Sequence, residues 1–90
     1  QEGKVCCHEI LGPLLDYDEE NEGELVKTLS AYFACNGNLT HLAERLGVHY
    51  NTAGYRMQQV RRLTGRKLED DENSLDFRMA LLLNRLWNYG

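Results

Sequence analysis

Cysteine, proline and long apolar runs are all scarce in this chain of 90 residues, and each scarcity excludes a class of protein. The three cysteines are Cys6, Cys7 and Cys35, and an odd number with two neighbours is a poor basis for a disulfide framework. Reduced cysteines are typical of the cytosol. The longest apolar run, residues 79–83, is far shorter than the roughly 20 residues of a membrane-spanning helix. The sequence therefore predicts a cytoplasmic protein that does not associate with a membrane.

Motifs for catalysis or cofactor binding are also missing. The sequence contains no nucleophile paired with a base, no glycine-rich phosphate loop and no cysteine or histidine pairs at metal-ligand spacing. Its histidines, His8, His41 and His49, share no helix face, and we expect His49 to cap a helix or contact DNA. The sequence therefore predicts no enzyme activity, no cofactor and no metal site.

Strand patterns are absent too, because alternating β-branched residues do not occur. Apolar residues instead recur at helical spacing, which predicts an all-α fold, a small helical bundle of about five helices. Residues 1–7 are predicted to be a lead-in that is disordered or left by a tag or an excision. Residues 8–90 are predicted to form one domain, cut from a longer chain.

Proline and glycine mark the expected limits of the first two helices. Pro13 suits a first turn, so a short helix is predicted there, ending by Tyr17 and followed by a polar acidic loop at 18–23. The second helix is expected to begin near Leu25 and to stop at Asn36-Gly37, since glycine readily adopts the left-handed conformation that follows a helix.

The third and fourth predicted helices have the spacing of a helix-turn-helix. The third lies between Asn38, which suits an N-cap, and Gly47, which permits the positive φ of a tight turn. The fourth runs from about Tyr50 to Thr64 and ends at Gly65. The positions expected to pack between or beneath these helices are small or apolar: Leu39, Leu42, Ala43, Leu46, Val48, Ala53, Met57 and Val60.

The charge of the chain is polarised around this segment. The whole chain has a net charge of −4, but residues 40–67 contain six basic side chains and one acid, a net charge of +5, which leaves −9 on the rest. Phosphate contacts by basic side chains supply much of the affinity of a protein for DNA. The basic segment therefore indicates that the helix-turn-helix binds DNA.

Exposed residues of the fourth helix are the candidates for DNA contacts. Asn51 and Gln58 can form bidentate hydrogen bonds to adenine, and Tyr55 can donate to a phosphate or contact a thymine methyl group. The arginines of this helix are expected at phosphates, as is Thr40 at the start of the third helix. The predicted DNA-binding set is Thr40, His49, Tyr50, Asn51, Thr52, Tyr55, Arg56, Gln58 and Arg62.

The last predicted helix, which Asp71 or Asn73 can cap, is apolar on two faces. This is unusual at the surface of a small monomer. One face comprises Leu75, Met79, Leu82, Leu83 and Leu86, and the other contains Phe77 and Leu81. We predict that Phe77, Leu81 and Trp87 form an interface, either with the second subunit of a homodimer or with N-terminal domains that this chain does not contain.

The ordered set of motifs resembles a known family. Gly37-Asn38-Leu39, Val48-His49-x-Asn51-Thr52, Tyr55-Arg56-Met57, Leu63-Thr64-Gly65, Leu11-Gly12-Pro13-Leu14-Leu15 and Asp70-Asp71 are similar to the C-terminal, Fis-like helix-turn-helix domain of PucR-type bacterial transcription regulators. The resemblance covers about residues 8–86. It implies a DNA-reading domain of a regulator whose N-terminal region senses a small metabolite.

Three residues depart from the pattern of that family. A basic residue is usual in place of Tyr50, a leucine-like residue in place of Ala53, and glycine is rare at the position of Gly54. Glycine inside a helix costs about 1 kcal/mol relative to alanine. We therefore expect a recognition helix that is less stable in the free domain and is stabilised when the domain binds DNA.

Two functions remain open at this point. The first is sequence-specific binding of double-stranded DNA, with residues 50–64 in the major groove, as the C-terminal domain of a metabolite-responsive transcription regulator. The alternative is a helical protein-interaction or dimerisation module with weak or no DNA binding, since helix-turn-helix geometry also occurs in bundles that do not bind DNA.

Overall fold

The computed structural model describes the backbone of residues 7–88 and the side chains of residues 9–86. Five helices follow one another: α1 (Cys7–Asn21), α2 (Leu25–Ala34), α3 (Leu39–Leu46), α4 (Tyr50–Thr64) and α5 (Asp71–Asn88). No strand occurs in this part of the chain, so the predicted all-α bundle of five helices is confirmed. Of the predicted lead-in, residues 1–6 lie outside the described residues, and Cys7 already belongs to α1.

The first helix is longer than the sequence predicts. It continues to Asn21, and Pro13 lies in its interior, so the predicted end at Tyr17 is wrong, and only residues 22 and 23 of the predicted loop at 18–23 lie outside the helices. The Asp18 carboxylate accepts hydrogen bonds from the backbone N–H groups of Leu25 and Val26, at 2.8 and 3.0 Å. The acidic end of α1 therefore caps the start of α2, and this contact between two elements is not visible as a local sequence pattern.

The core lies where α1 and α2 pack on the other helices. α1 packs on α2, α4 and α5, and α2 packs on all of the other helices. The buried apolar side chains come from every helix and from the linker before α5: Ile10, Leu11, Leu14, Leu25, Leu29, Ala31, Leu42, Ala43, Ala53, Met57, Val60, Leu68, Phe77 and Ala80. Burial of these side chains is the main stabilising contribution to a domain of this size.

The face of α5 that contains Phe77, which the sequence predicts to be an interface, is the face that packs against the core. Phe77 is completely buried, with its ring centroid 6.3 Å from that of Phe33, and Leu81 is half-buried against the same core. The prediction that Phe77 contacts another molecule is therefore wrong, because the aromatic surface of α2 binds this face of the helix. The predicted contact by Trp87 lies outside the described side chains.

The start of α5 is tied to the linker that precedes it. The backbone carbonyl of Asp70 accepts the first helical hydrogen bond, from Ser74, so Asp70 takes the N-cap position predicted for Asp71 or Asn73. The Asn73 amide instead donates to the carbonyl of Lys67 at 3.0 Å. Arg66 forms an ion pair with Asp76 at 3.5 Å. Within residues 7–88, no helix is both long and apolar enough to cross a membrane.

Candidate nucleic-acid interface

The turn between α3 and α4 is built by local capping contacts, as the sequence predicts. The Asn38 side chain accepts a hydrogen bond from the backbone N–H of His41 at 3.0 Å and so caps α3. At the other end Gly47 has a φ of 72°, and the N–H of Val48 donates to the carbonyl of Ala43 at 3.0 Å. This left-handed glycine turns the chain within two residues. The turn therefore fixes the angle at which α4 leaves α3.

His49 begins the second helix of the motif. Its backbone is extended, and its Nδ1 accepts a hydrogen bond from the backbone N–H of Asn51 at 3.0 Å, which confirms the predicted capping role. α4 spans Tyr50–Thr64 and ends at Gly65, whose φ is 68°, also as predicted. Because the imidazole holds the first turn, His49 orients the residues that follow it.

Small side chains let α3 and α4 pack closely. α3 packs on α4, and Ala43 of α3 and Ala53 and Met57 of α4 are all buried. Val48 is half-buried and packs against the core from within the turn. Although its side chain is small, Ala53 has no exposed surface. The two helices therefore form one packed unit.

The structure brings four of the predicted DNA-binding residues together along one face of α4. Tyr50, Asn51, Tyr55 and Gln58 are exposed and line a shallow groove of about 340 Å³. The two tyrosines are 50% and 59% exposed, unusually high values for large aromatic side chains. This surface, which we call the recognition face, offers two amides, two phenols and an open groove.

Three further residues line the same groove: Leu39, Gly54 and Arg61. The sequence predicts Leu39 to be a core residue, but it is only half-buried, because it is the first residue of α3 and lies at the edge of the helix pair. Thr40 is exposed in the first turn of α3 and does not line the groove.

Arg56 does not belong to the recognition face. Its guanidinium lies 3.5 Å from the Glu24 carboxylate and donates to the Thr28 hydroxyl at 3.4 Å, and only 25% of its side chain is exposed. Residue 56 lies about 100° around the helix from residue 55, which turns it towards α2. The prediction that Arg56 contacts a phosphate is therefore wrong. Arg56 instead links α4 to α2 through its contacts with Glu24 and Thr28. Thr52 is exposed, but it too lies outside the groove.

Three of the six basic side chains in residues 40–67 form ion pairs with acidic side chains of the same domain. Besides Arg56, Arg61 forms an ion pair with Glu69 at 3.6 Å, and Arg66 pairs with Asp76. The Arg62 Nε donates to Gln59 at 2.9 Å. Exposed pairs of this length contribute little to stability and are screened by salt, so Arg61 can exchange Glu69 for a phosphate at small cost.

The requirements of a metal site are not met among the described residues. Within that part of the chain, no group of three histidine, cysteine or acidic side chains is placed to hold a metal ion. The buried hydroxyl of Thr28 donates to the backbone carbonyl of Glu24 at 2.6 Å, which satisfies its donor inside the bundle.

Comparison with known proteins identifies the family. The family model for the PucR C-terminal helix-turn-helix domain matches residues 25–83, well over half of the chain. The chain belongs to this family. The matched region extends from α2 into α5 and contains the whole recognition face. The resemblance inferred from the sequence motifs is thus confirmed, and the domain is of the kind found in DNA-binding transcription regulators.

The relatives of this PucR-type domain are much longer proteins. It is 35% identical over 68 residues to the purine catabolism regulatory protein of Bacillus subtilis, covering 76% of this chain and 13% of that protein. It is 36% identical over 66 residues to the proline-responsive transcriptional activator PutR of the same organism, covering 73% and 16%. An uncharacterized Haemophilus influenzae protein is 35% identical over 79 residues, covering 88% and 20%. No solved structure matches the chain significantly.

Gly54 is a position where this PucR-type domain can be stabilised. A Cβ added there meets no atom within 4 Å, and the residue lies inside α4, where alanine is favoured over glycine by about 1 kcal/mol. We expect Gly54→Ala to raise the free energy of unfolding by about 1 kcal/mol and the melting temperature by roughly 4–8 °C. Thermal denaturation followed by circular dichroism measures this change.

Gly47 provides a matched control for that substitution. A Cβ there also meets nothing within 4 Å, but its φ of 72° is unfavourable for alanine. Gly47→Ala is therefore expected to destabilise the domain by about 1–2 kcal/mol. A loss of stability in both variants would show that Gly54 is required by the fold. Full protection of the amides of residues 51–58 from hydrogen exchange in the free domain would contradict the expected lower stability of this helix.

Proposed function

We propose that this PucR-type domain binds double-stranded DNA sequence-specifically, with α4 in the major groove. The observation that supports this proposal most strongly is the recognition face, where polar and aromatic side chains are exposed near the start of the second helix of a helix-turn-helix. In this motif, the first turns of the second helix contact base edges. A major groove about 12 Å wide admits a single α-helix.

We assign some residues of the recognition face to contacts with DNA bases and others to contacts with the DNA phosphate backbone. Asn51 and Gln58 lie one above the other, seven residues apart, and we assign them to adenines. Tyr50 and Tyr55 flank them and are assigned to phosphates and thymine methyl groups. Of the predicted phosphate contacts, Arg61, Arg62, Thr40 and Thr52 retain this role in the proposal.

The relatives suggest the setting in which the domain acts. Two of them are named as a purine catabolism regulator and a proline-responsive activator. We propose that this domain likewise belongs to a cytoplasmic, metabolite-responsive transcription regulator, that it has no catalytic role, and that it acts as a homodimer. Each copy would then occupy one of two half-sites. The effector would be sensed elsewhere in the longer protein.

The proposed DNA binding has a measurable salt dependence. Fluorescence anisotropy of a labelled pool of random-sequence duplexes is expected to show binding at low salt that weakens steeply as salt rises, because each neutralised phosphate releases counterions. Arg62→Ala is expected to reduce the slope of log K against log salt by about 1. Lys27→Ala is the control, since Lys27 is an exposed cation of α2 that lines a different groove, beside α5.

These measurements also distinguish the alternative function. A protein-interaction module without DNA binding would show no anisotropy change with the duplex pool even at low salt. Equal effects of Arg62→Ala and Lys27→Ala would mean that DNA is attracted by the overall charge, without the recognition face as its binding site. The exposed apolar face of α5 favours interaction with protein as an additional property, because it lies apart from the groove on α4.

A further inference from the structure

The outer face of α5 carries a continuous row of exposed aliphatic side chains. Leu75, Met79, Leu82 and Leu86 are 58%, 45%, 53% and 58% exposed, and we call them the leucine stripe. They follow one another at intervals of four, three and four residues, so they form a single line along the helix. Leu83, 37% exposed, widens the stripe on one side.

The leucine stripe has no role inside the bundle. The opposite face of α5, with Phe77 and Ala80, is the one buried against the core. Single exposed leucines are ordinary on protein surfaces, but a contiguous apolar row is uncommon on a monomer and marks a contact site. Since α5 has 18 residues, it is about 27 Å long, and the stripe occupies most of that length.

The spacing of the stripe favours another helix as its partner. Intervals of four, three and four residues are those of the a and d positions in a heptad repeat, the seam through which two helices pack side by side. A groove-shaped or flat partner requires no such regularity.

The charges of α5 favour a second copy of the same helix in the opposite direction. Asp71 and Glu72 lie in its first turn and Arg85 lies in its last turn, and all three side chains are exposed. An antiparallel copy places the acidic start of each helix beside the basic end of the other, whereas a parallel copy places like charges together. Such a pair has two-fold symmetry, the commonest arrangement of homo-oligomers.

The arrangement of the helices leaves room for this pairing. α1 and α2 pack on both α4 and α5, so they lie between the recognition face and α5. The leucine stripe points away from α1 and α2, because the inward face of α5 is the one that contacts them. The groove of α4 is lined by residues of α3 and α4 alone, so it shares no residue with the leucine stripe.

We propose that the leucine stripe is a homodimer interface, through which α5 packs antiparallel against α5 of a second copy of this chain. This surface replaces the face around Phe77 that the sequence suggested. The proposal does not depend on DNA binding. A homodimer of this kind would also allow the two copies of the domain to bind two DNA half-sites.

Sedimentation equilibrium of the 90-residue chain tests the association. The wild type is expected to dimerise, and the double variant Met79→Glu, Leu82→Glu is expected to weaken the dimer at least about a hundredfold, because four apolar side chains are lost from each symmetric interface. The control is Met79→Leu, Leu82→Met, which keeps the stripe apolar and should keep the dimer. Both side chains that are replaced are exposed, so circular dichroism should show the same helix content for each protein.

The direction of the helices is tested by disulfide trapping in a background where Cys6, Cys7 and Cys35 are replaced by serine. A Leu75→Cys chain mixed with a Leu86→Cys chain should form mainly the mixed disulfide, since the two positions face each other in an antiparallel pair. A monomeric wild type, or a dimer that survives the double glutamate variant, overturns the interface. Predominance of Leu75→Cys homodisulfides overturns the antiparallel direction. Binding of the random duplex pool by the monomeric variant would leave the proposed DNA function standing.

Discussion

The double variant Asn51→Ala, Gln58→Ala is expected to lose the sequence preference of the domain while it remains folded and still binds DNA non-specifically. Both side chains are exposed on the recognition face and line its groove, so their removal leaves the core unchanged. A bidentate contact between an amide side chain and adenine is worth about 1–3 kcal/mol of discrimination, or roughly five- to 150-fold in affinity. Loss of both contacts should therefore remove most of the difference between specific and random duplexes.

Selection from a random duplex pool measures this loss directly. The wild type is expected to enrich a motif that contains adenines, and the double variant to enrich none. The control is Gln59→Ala, the same residue type one position along α4, where the side chain accepts a hydrogen bond from Arg62 and does not line the groove. If the double variant binds the wild-type motif as tightly as the wild type does, α4 does not read the sequence.

Phe77→Ala is expected to destabilise the domain by about 3–5 kcal/mol, the usual cost of truncating a buried phenylalanine. The total stability of natural domains is about 5–15 kcal/mol, so this single change removes a large share of it. The ring has no exposed surface, and it packs against Phe33, over which Arg78 also lies, 5.2 Å from the ring centroid. Its loss leaves a cavity between α2 and α5.

Urea denaturation followed by circular dichroism provides the measurement, with Tyr55→Ala as the control. Tyr55 is also an aromatic residue within a helix, but it is 59% exposed, so its truncation should change stability by no more than about 0.5 kcal/mol. If Phe77→Ala were as stable as the wild type, Phe77 would not be a core residue, and the sequence-based prediction that it contacts a partner would stand again. That result would also remove the basis for placing the leucine stripe on the outside.

Helix α2 contacts both α4, the proposed DNA-binding helix, and α5, the proposed dimer helix. Phe33 and Phe77 hold α5 against α2, while Arg56 holds α4 against the same helix through Glu24 and Thr28. α2 is therefore the element that connects the proposed DNA-reading helix with the proposed dimer helix. A destabilised α2 is expected to impair both properties together, whereas the substitutions on the recognition face and on the leucine stripe impair one each.

The sequence by itself determined the helix-turn-helix, because its signals are local. Asn38, Gly47, His49 and Gly65 each act within about five residues of their own position, by a side-chain cap or a left-handed φ. Such contacts depend on the chain neighbours alone, so the limits of α4 follow from them. The helical spacing of the apolar residues of α4 then leaves Tyr50, Asn51, Tyr55 and Gln58 on the outward face. The family could be recognised for the same reason, since its motifs surround these capping residues.

Only the tertiary structure decided which face of α5 is buried, where Arg56 points and how far α1 extends. Each of these depends on residues distant in sequence or on a neighbouring element: Phe77 on Phe33, Arg56 on Thr28, and the end of α1 on the backbone N–H groups of α2. Periodicity shows that a helix has two apolar faces, but it does not show which of them packs inward. The choice between them is made by the shape of the surface that the helix meets, and that surface exists only once α1 and α2 have packed.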